Sequence, residues 1–171
     1  MLILSLLRHA KSSWDDNGLS DFERTLSGRG RRAAPRIGRF IAEIDRAPDL
    51  VLCSSAKRAC QTLQLVLPEL AQEPKVKRLE ELYLASPGTL LSRLHSVGAK
   101  YRSVMLVGHN PGMHALALGL TGGGKAAAKR DLAHKFPTSA LAVFSFDVQS
   151  WRQVDQAGGH LDLFIVPAQL A

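Results

Sequence analysis

At 171 residues, 46% hydrophobic and 22% charged, the chain has the composition of an ordinary globular domain and is long enough to bury a sizeable core. Its net charge of +7 favours anionic partners, but only 6% of its residues are aromatic, and none form a stacking motif among the basic side chains, which argues against a nucleic-acid surface. Cys53 and Cys60 are too few for a disulfide framework or a zinc knuckle, and read as reduced thiols packed as small hydrophobes.

The first apolar run, Leu2–Leu7, reads as a strand. It is too short to span a membrane and lacks the features of a signal peptide, so the expected compartment is the cytoplasm. Ser27–Ile44 reads as a helix capped by Ser27, with Ile37, Phe40, Ile41 and Ile44 on one face and Pro35 as a kink or a later start. Asp49–Cys53 is a second strand and Ala56–Leu70 a second helix, followed by a short strand at Lys75–Arg78 and a helix at Gly88–Val97. Ser103–Val107 is a strand, and Pro111 suits the first turn of the helix after it. Gly122–Arg130 reads as a glycine-rich surface loop, and Leu141–Phe146 and Leu161–Val166 as late strands. With no repeat and no linker, residues 1–171 are expected to form a single domain. Alternating strands and helices predict an α/β fold, a three-layer α/β/α sandwich around a mostly parallel sheet.

Ligands of such sheets bind beyond the carboxyl ends of the strands. Basic residues follow three of these strands: Arg8 and His9 after the first, Arg58 after the second, and His109 after Ser103–Val107. Guanidinium groups clamp phosphoryl oxygens in a bidentate fork, so this rim predicts a phosphate pocket. His95, His114, His134 and His160 share no such placement and read as ordinary structural or surface residues.

Other signals carry less. Gly119–Lys125 (GLTGGGK) matches most of a nucleotide-binding loop, but Ala126 stands where a hydroxyl is needed and a predicted helix precedes it. Cys53 and Arg58 stand one residue too close for a cysteine-phosphatase loop. No His/Cys spacing suggests a metal site, and none is expected. Arg29, Arg31 and Arg32 read as the solvated face of a helix that can also dock an acidic protein partner.

In order along the chain, R-H-A (Arg8–Ala10), D-F-E-R-T-L-S-G-R-G (Asp21–Gly30), S-S-A-K-R-A-C-Q-T (Ser54–Thr62), V-G-H-N-P (Val107–Pro111) and F-P-T-S-A (Phe136–Ala140) resemble the histidine phosphatase superfamily, the phosphoglycerate mutase-like proteins. The short chain most resembles the SixA-type phosphohistidine phosphatases. The resemblance implies that His9 is the nucleophile, that Arg8, Arg58 and His109 hold the phosphoryl oxygens, and that no cofactor is needed. It also implies a general acid near Glu81, with Glu80 as the alternative. Ser12 is a candidate hydrogen-bond donor to the phosphoryl group. Asp15 departs from the asparagine many relatives carry, and its carboxylate must turn away from phosphate, pair with a base, or alter substrate choice.

The expected substrate is phosphohistidine in a phosphorylated protein, since its imidazole leaves with a conjugate-acid pKa of roughly 6.5, whereas an ester expels an alkoxide related to water, at about 15.7. The alternatives are a small phosphorylated metabolite, hydrolysed or isomerised, or a phosphate-binding module with little turnover. Neither nucleic acid nor membrane is an expected partner, and the sequence leaves the oligomeric state open.

Overall fold

A computed structural model describes residues 1–170. Seven strands form one sheet in the order β3-β2-β4-β1-β6-β7-β5, where β1 is Leu2–Arg8, β2 Leu50–Ser54, β3 Lys75–Leu79, β4 Ser103–Gly108, β5 Thr121–Gly124, β6 Leu141–Phe146 and β7 Gly159–Ile165. The pairs β1–β4, β2–β4, β2–β3 and β5–β7 are parallel, whereas β6 runs antiparallel to both β1 and β7. The sheet is therefore mixed, with its parallel half carrying the rim of interest.

Five helices cover the sheet: α1 (Gly28–Glu43), α2 (Lys57–Val66), α3 (Pro87–His95), α4 (Gly112–Leu120) and α5 (Ala126–His134). Ala34, Ile37 and Ile41 of α1 and Ala59, Leu63 and Val66 of α2 pack with Leu7, Val51, Cys53 and Val107 on one face. Leu90 and Leu94 of α3, Met113 and Leu116 of α4, and Leu132 of α5 pack with Leu4, Leu6, Leu52 and Leu106 on the other. Successive strand residues point to opposite faces, so Leu6 and Leu7, or Leu106 and Val107, serve different cores. That is why these strands read as unbroken apolar runs.

The expected elements are present with shifted ends, and two expectations change. Helix α1 continues through Pro35, with Ser27 as its N-cap accepting from Gly30 N at 3.1 Å. Helix α2 stops at Val66, and Leu67–Glu69 form a separate short turn around Pro68, which has no N–H to extend the helix. Gly122–Arg130 is not a loop. Its glycines form β5 and its alanines open α5. A Cβ on Gly122 would lie 1.9 Å from the Ala157 carbonyl oxygen, so glycine here permits close backbone approach at the sheet edge. Among the described residues no helix is long and apolar enough to cross a membrane.

Candidate active site

Strand β1 ends at Arg8, and His9 follows it directly; His109 follows β4, and Arg58 opens α2 just past β2. Parallel registry aligns these ends, with Arg8 opposite Gly108 and Cys53 opposite Val107. A cavity of about 210 Å³ forms between them, lined by Arg8, His9, Ser12, Arg58 and His109 together with Arg24, Asn110 and Thr138. His9, Arg58 and His109 are 6%, 4% and 3% exposed.

The hydrogen bonds fix how His9 is presented. Its Nδ1 lies 2.7 Å from the Ala10 carbonyl oxygen. A carbonyl only accepts, so the ring proton sits on Nδ1 and Nε2 keeps its lone pair. Arg58 Nε donates to that Nε2 at 3.3 Å. Burial, reinforced by His109, Arg58 and Arg8, lowers the His9 pKa to about 3 despite the opposing Ala10 bond. The ring is therefore neutral at physiological pH, with an unprotonated Nε2.

His109 packs against His9 with ring centroids 5.1 Å apart. Its Nε2 meets Ser54 Oγ at 2.7 Å, and burial with the nearby Arg58 charge lowers its pKa to about 4. Arg8 donates from one terminal nitrogen to the Phe136 carbonyl at 3.0 Å, and Asn110 Nδ2 donates to the same oxygen at 2.8 Å. Among the described residues Arg8 Nε and His109 Nδ1 are buried without a hydrogen-bond partner. Leaving such groups unsatisfied is costly, and a guanidinium N–H beside an imidazole nitrogen suits an oxyanion.

Arg58 is held from behind. Its terminal nitrogens donate to the Asp21 backbone oxygen at 2.6 Å and to Asp21 Oδ2 at 3.1 Å. Asp21 also accepts from Arg24 at 2.9 Å and from the Tyr83 hydroxyl. The Tyr83 bond, then the arginines, lowers the Asp21 pKa to about 2 against partial desolvation. Asp21 is thus a fixed anion that orients two arginines. Arg24 in turn donates to Ser12 Oγ and stacks 3.3 Å over the Trp14 ring. Thr62 ties the next layer, accepting from Ala10 N at 2.9 Å and donating to the Arg58 carbonyl at 2.7 Å.

The structure thus brings together Arg8, His9, Ser12, Arg58 and His109. Glu81 lies elsewhere: it pairs with Arg93 at 3.3 Å and lines a separate surface cleft near Ser86 and Ser92. Neighbouring Glu80 is exposed and absent from the cavity lining, as is Asp15. Cys53 is buried in β2 as a free thiol, its pKa raised by the neighbouring Cys60 thiol and by burial, and it does not reach the cavity. Sequence reading missed Asp21, Arg24, Ser54 and Thr62 as positioning groups, although all four lie inside the motif segments. Among the described residues no three His, Cys, Asp or Glu side chains cluster as a metal site requires.

An α/β sheet with two neutral histidines and three arginines converging past its strand ends defines a phosphoryl-group-binding protein. Residues 4–85 match the model of the histidine phosphatase superfamily (branch 1). An uncharacterized Mycobacterium tuberculosis protein is 37% identical over 163 residues, covering 94% of this chain and 99% of that one. The structure of a protein described as the putative phosphohistidine phosphatase SixA from Agrobacterium tumefaciens is 34% identical and covers 97% of this chain and 99% of that one, with a TM-score of 0.80. A second protein so described, from Nakamurella, is 29% identical over 97% of this chain and 96% of that one, with a TM-score of 0.84. The chain belongs to the histidine phosphatase superfamily, and SixA-type structures match it over nearly its whole length.

Proposed function

We propose that the protein is a cytoplasmic phosphohistidine phosphatase that removes the phosphoryl group from a histidine of a partner protein, working through a phospho-His9 intermediate and without a metal. One observation carries the substrate class: the cavity is lined by cations, neutral rings and hydroxyls, with no carboxyl among the described lining residues. Asp21 is held ionised and Glu81 is engaged with Arg93. A phosphate ester needs an acid for its alkoxide. A phosphohistidine whose second ring nitrogen is protonated releases a neutral imidazole and needs none.

In the first step the His9 Nε2 lone pair attacks phosphorus and the phosphorus–nitrogen bond to the substrate imidazole breaks, that electron pair returning to the leaving ring. His9 becomes an N-phosphorylated imidazolium, its charge stabilised through Nδ1–H donating to the Ala10 carbonyl. Arg8, Arg58 and His109 meet the charge spread over the phosphoryl oxygens. The tautomer in which Ser54 donates to His109 Nε2 carries the ring proton on Nδ1, which has no hydrogen-bond partner among the described residues. Water then attacks phosphorus, the bond to Nε2 breaks, and orthophosphate and neutral His9 are restored.

Support for a protein substrate comes from the mouth of the cavity, where Trp14 and Leu84 are 69% and 50% exposed. The relatives described as SixA point the same way. The test is acid-quench trapping with a radiolabelled phosphohistidine protein, wild type beside His9→Ala. A label on wild-type protein that is acid-labile, alkali-stable and turns over is expected, with none on the variant. Phosphate release by His9→Ala at the wild-type rate overturns the mechanism. Faster turnover of sugar phosphates or phosphoglycerates than of phosphohistidine overturns the substrate class.

A further inference from the structure

Beside the catalytic cavity lies a larger one of about 390 Å³, to which the mechanism assigns nothing. Lys11 and Thr138 line both, so the two are neighbours that share a wall. Its apolar wall comes from Ala33 of α1, Phe164 of β7 and the Val166–Pro167 turn, and its rim from the start of α1 and the end of α5. That rim carries Lys11, Arg29, His134 and Lys135, all exposed, against one carboxylate, Asp131. Among the described residues none of Lys11, Arg29 or Lys135 forms an ion pair.

We propose that this groove is the docking site for an acidic segment of the phosphorylated partner, flanking the histidine whose phosphoryl group enters the cavity. The inference rests on the phosphohistidine phosphatase reading and adds to it the chemistry that selects the substrate. The excess of unpaired cations selects carboxylates. The apolar wall seats their aliphatic stems and the side chains between them. A volume of 390 Å³ exceeds what a phosphoryl group needs and suits a few side chains. Trp14 and Leu84 add apolar contact at the cavity mouth without lining the groove, so the recognition surface spreads beyond both, as a protein partner requires.

The experiment uses three probes: phosphoramidate, and two synthetic peptides with a phosphorylated histidine flanked by either Glu-Leu-Glu or Lys-Leu-Lys. Each is given to wild type and to the Arg29→Glu/Lys135→Glu double variant. Glutamate in the first turn of α1 suits the helix dipole, so Arg29→Glu is compatible with folding. Phosphoramidate turnover reports an intact site in both proteins. The wild type is expected to favour the acidic peptide by about tenfold in kcat/KM, a preference weakened by salt. The double variant should lose or invert that preference with phosphoramidate turnover unchanged; Arg29→Glu alone should halve the gap in logarithmic terms. A wild type active on phosphoramidate but indifferent to peptide charge overturns the docking inference alone. So does a double variant that keeps the preference, or one whose phosphoramidate turnover falls equally, since the groove then acts on the small substrate. A wild type inert towards phosphoramidate and both peptides overturns the phosphatase reading and this inference with it.

Discussion

His9 is a neutral ring with its proton committed to a backbone oxygen and its lone pair facing Arg58. Catalysis that depends on that lone pair should therefore tolerate acid well. With His9 at about 3 and His109 at about 4, the acid limb of kcat/KM for phosphohistidine peptide should fall in that range, and an ordinary limb at about 6.5 would contradict the assignment. Stability moves with the same groups. Both folded pKa values lie below the unfolded one, so between them the unfolded chain binds more protons. Stability is then fully present above about 6.5 and is lost as pH falls towards about 3. Thermal melts from pH 7 to pH 4 should show the midpoint dropping, less steeply in His9→Ala; an equal slope would mean His9 is not the group responsible. Asp21→Asn keeps the shape but removes the anion behind Arg58 and Arg24. Because Asp21 is half-exposed, stability should change little, while kcat/KM falls by about ten- to a hundredfold through misplaced guanidinium groups. The placement of Arg8, His9, Arg58 and His109 in one pocket was legible because each follows the end of a predicted strand. Asp21 was not, since its bond to Arg58 spans 37 residues and depends on how the loop after Ser12 folds back. A lone aspartate carries no sign of that.

Among the elements, the start of α1 and the loop after β1 are built against each other. Ser27 N donates to the Lys11 carbonyl at 2.9 Å, and Ser12 bridges Leu26. A Cβ on Gly30 would lie 2.2 Å from that carbonyl oxygen. Gly30→Ala must push α1 off the loop carrying Ser12, and should lower both melting temperature and kcat/KM; a variant that kept both would show the contact to be slack. Phe136 has a similar double duty, its ring buried against Phe164 while its carbonyl binds Arg8 and Asn110. Phe136→Ala should cost about 3–5 kcal/mol in denaturant unfolding, with activity of the surviving folded fraction reduced as well. Sequence reading recovered α1 with its Ser27 cap, and most strands, because their apolar pattern is local. It lost β5 and the start of α5 because a run of glycines has no pattern of its own. The approach of the Ala157 backbone explains Gly122, and that of the Leu161 backbone together with a φ of 133° explains Gly124.

At the scale of the molecule, β1 divides the sheet, with parallel β4 on one side and antiparallel β6 on the other. Chain leaving β1 and β2 covers one face with α1 and α2, while chain leaving β4 turns to the other with α4. The crevice opens where these paths part, which is why Arg8, His9, Arg58 and His109, from three segments remote in sequence, share one cavity. The antiparallel arm was not legible, since an apolar strand shows no direction in its sequence. That arm also sets a schedule. A chain leaving the ribosome has displayed Arg8, His9, Arg58 and His109 by residue 109, yet the oxygen that steadies Arg8 belongs to Phe136 and the strand that flanks β1 closes at Phe146. The nascent chain therefore holds all four pocket side chains before it has either the oxygen that steadies Arg8 or the strand that flanks β1.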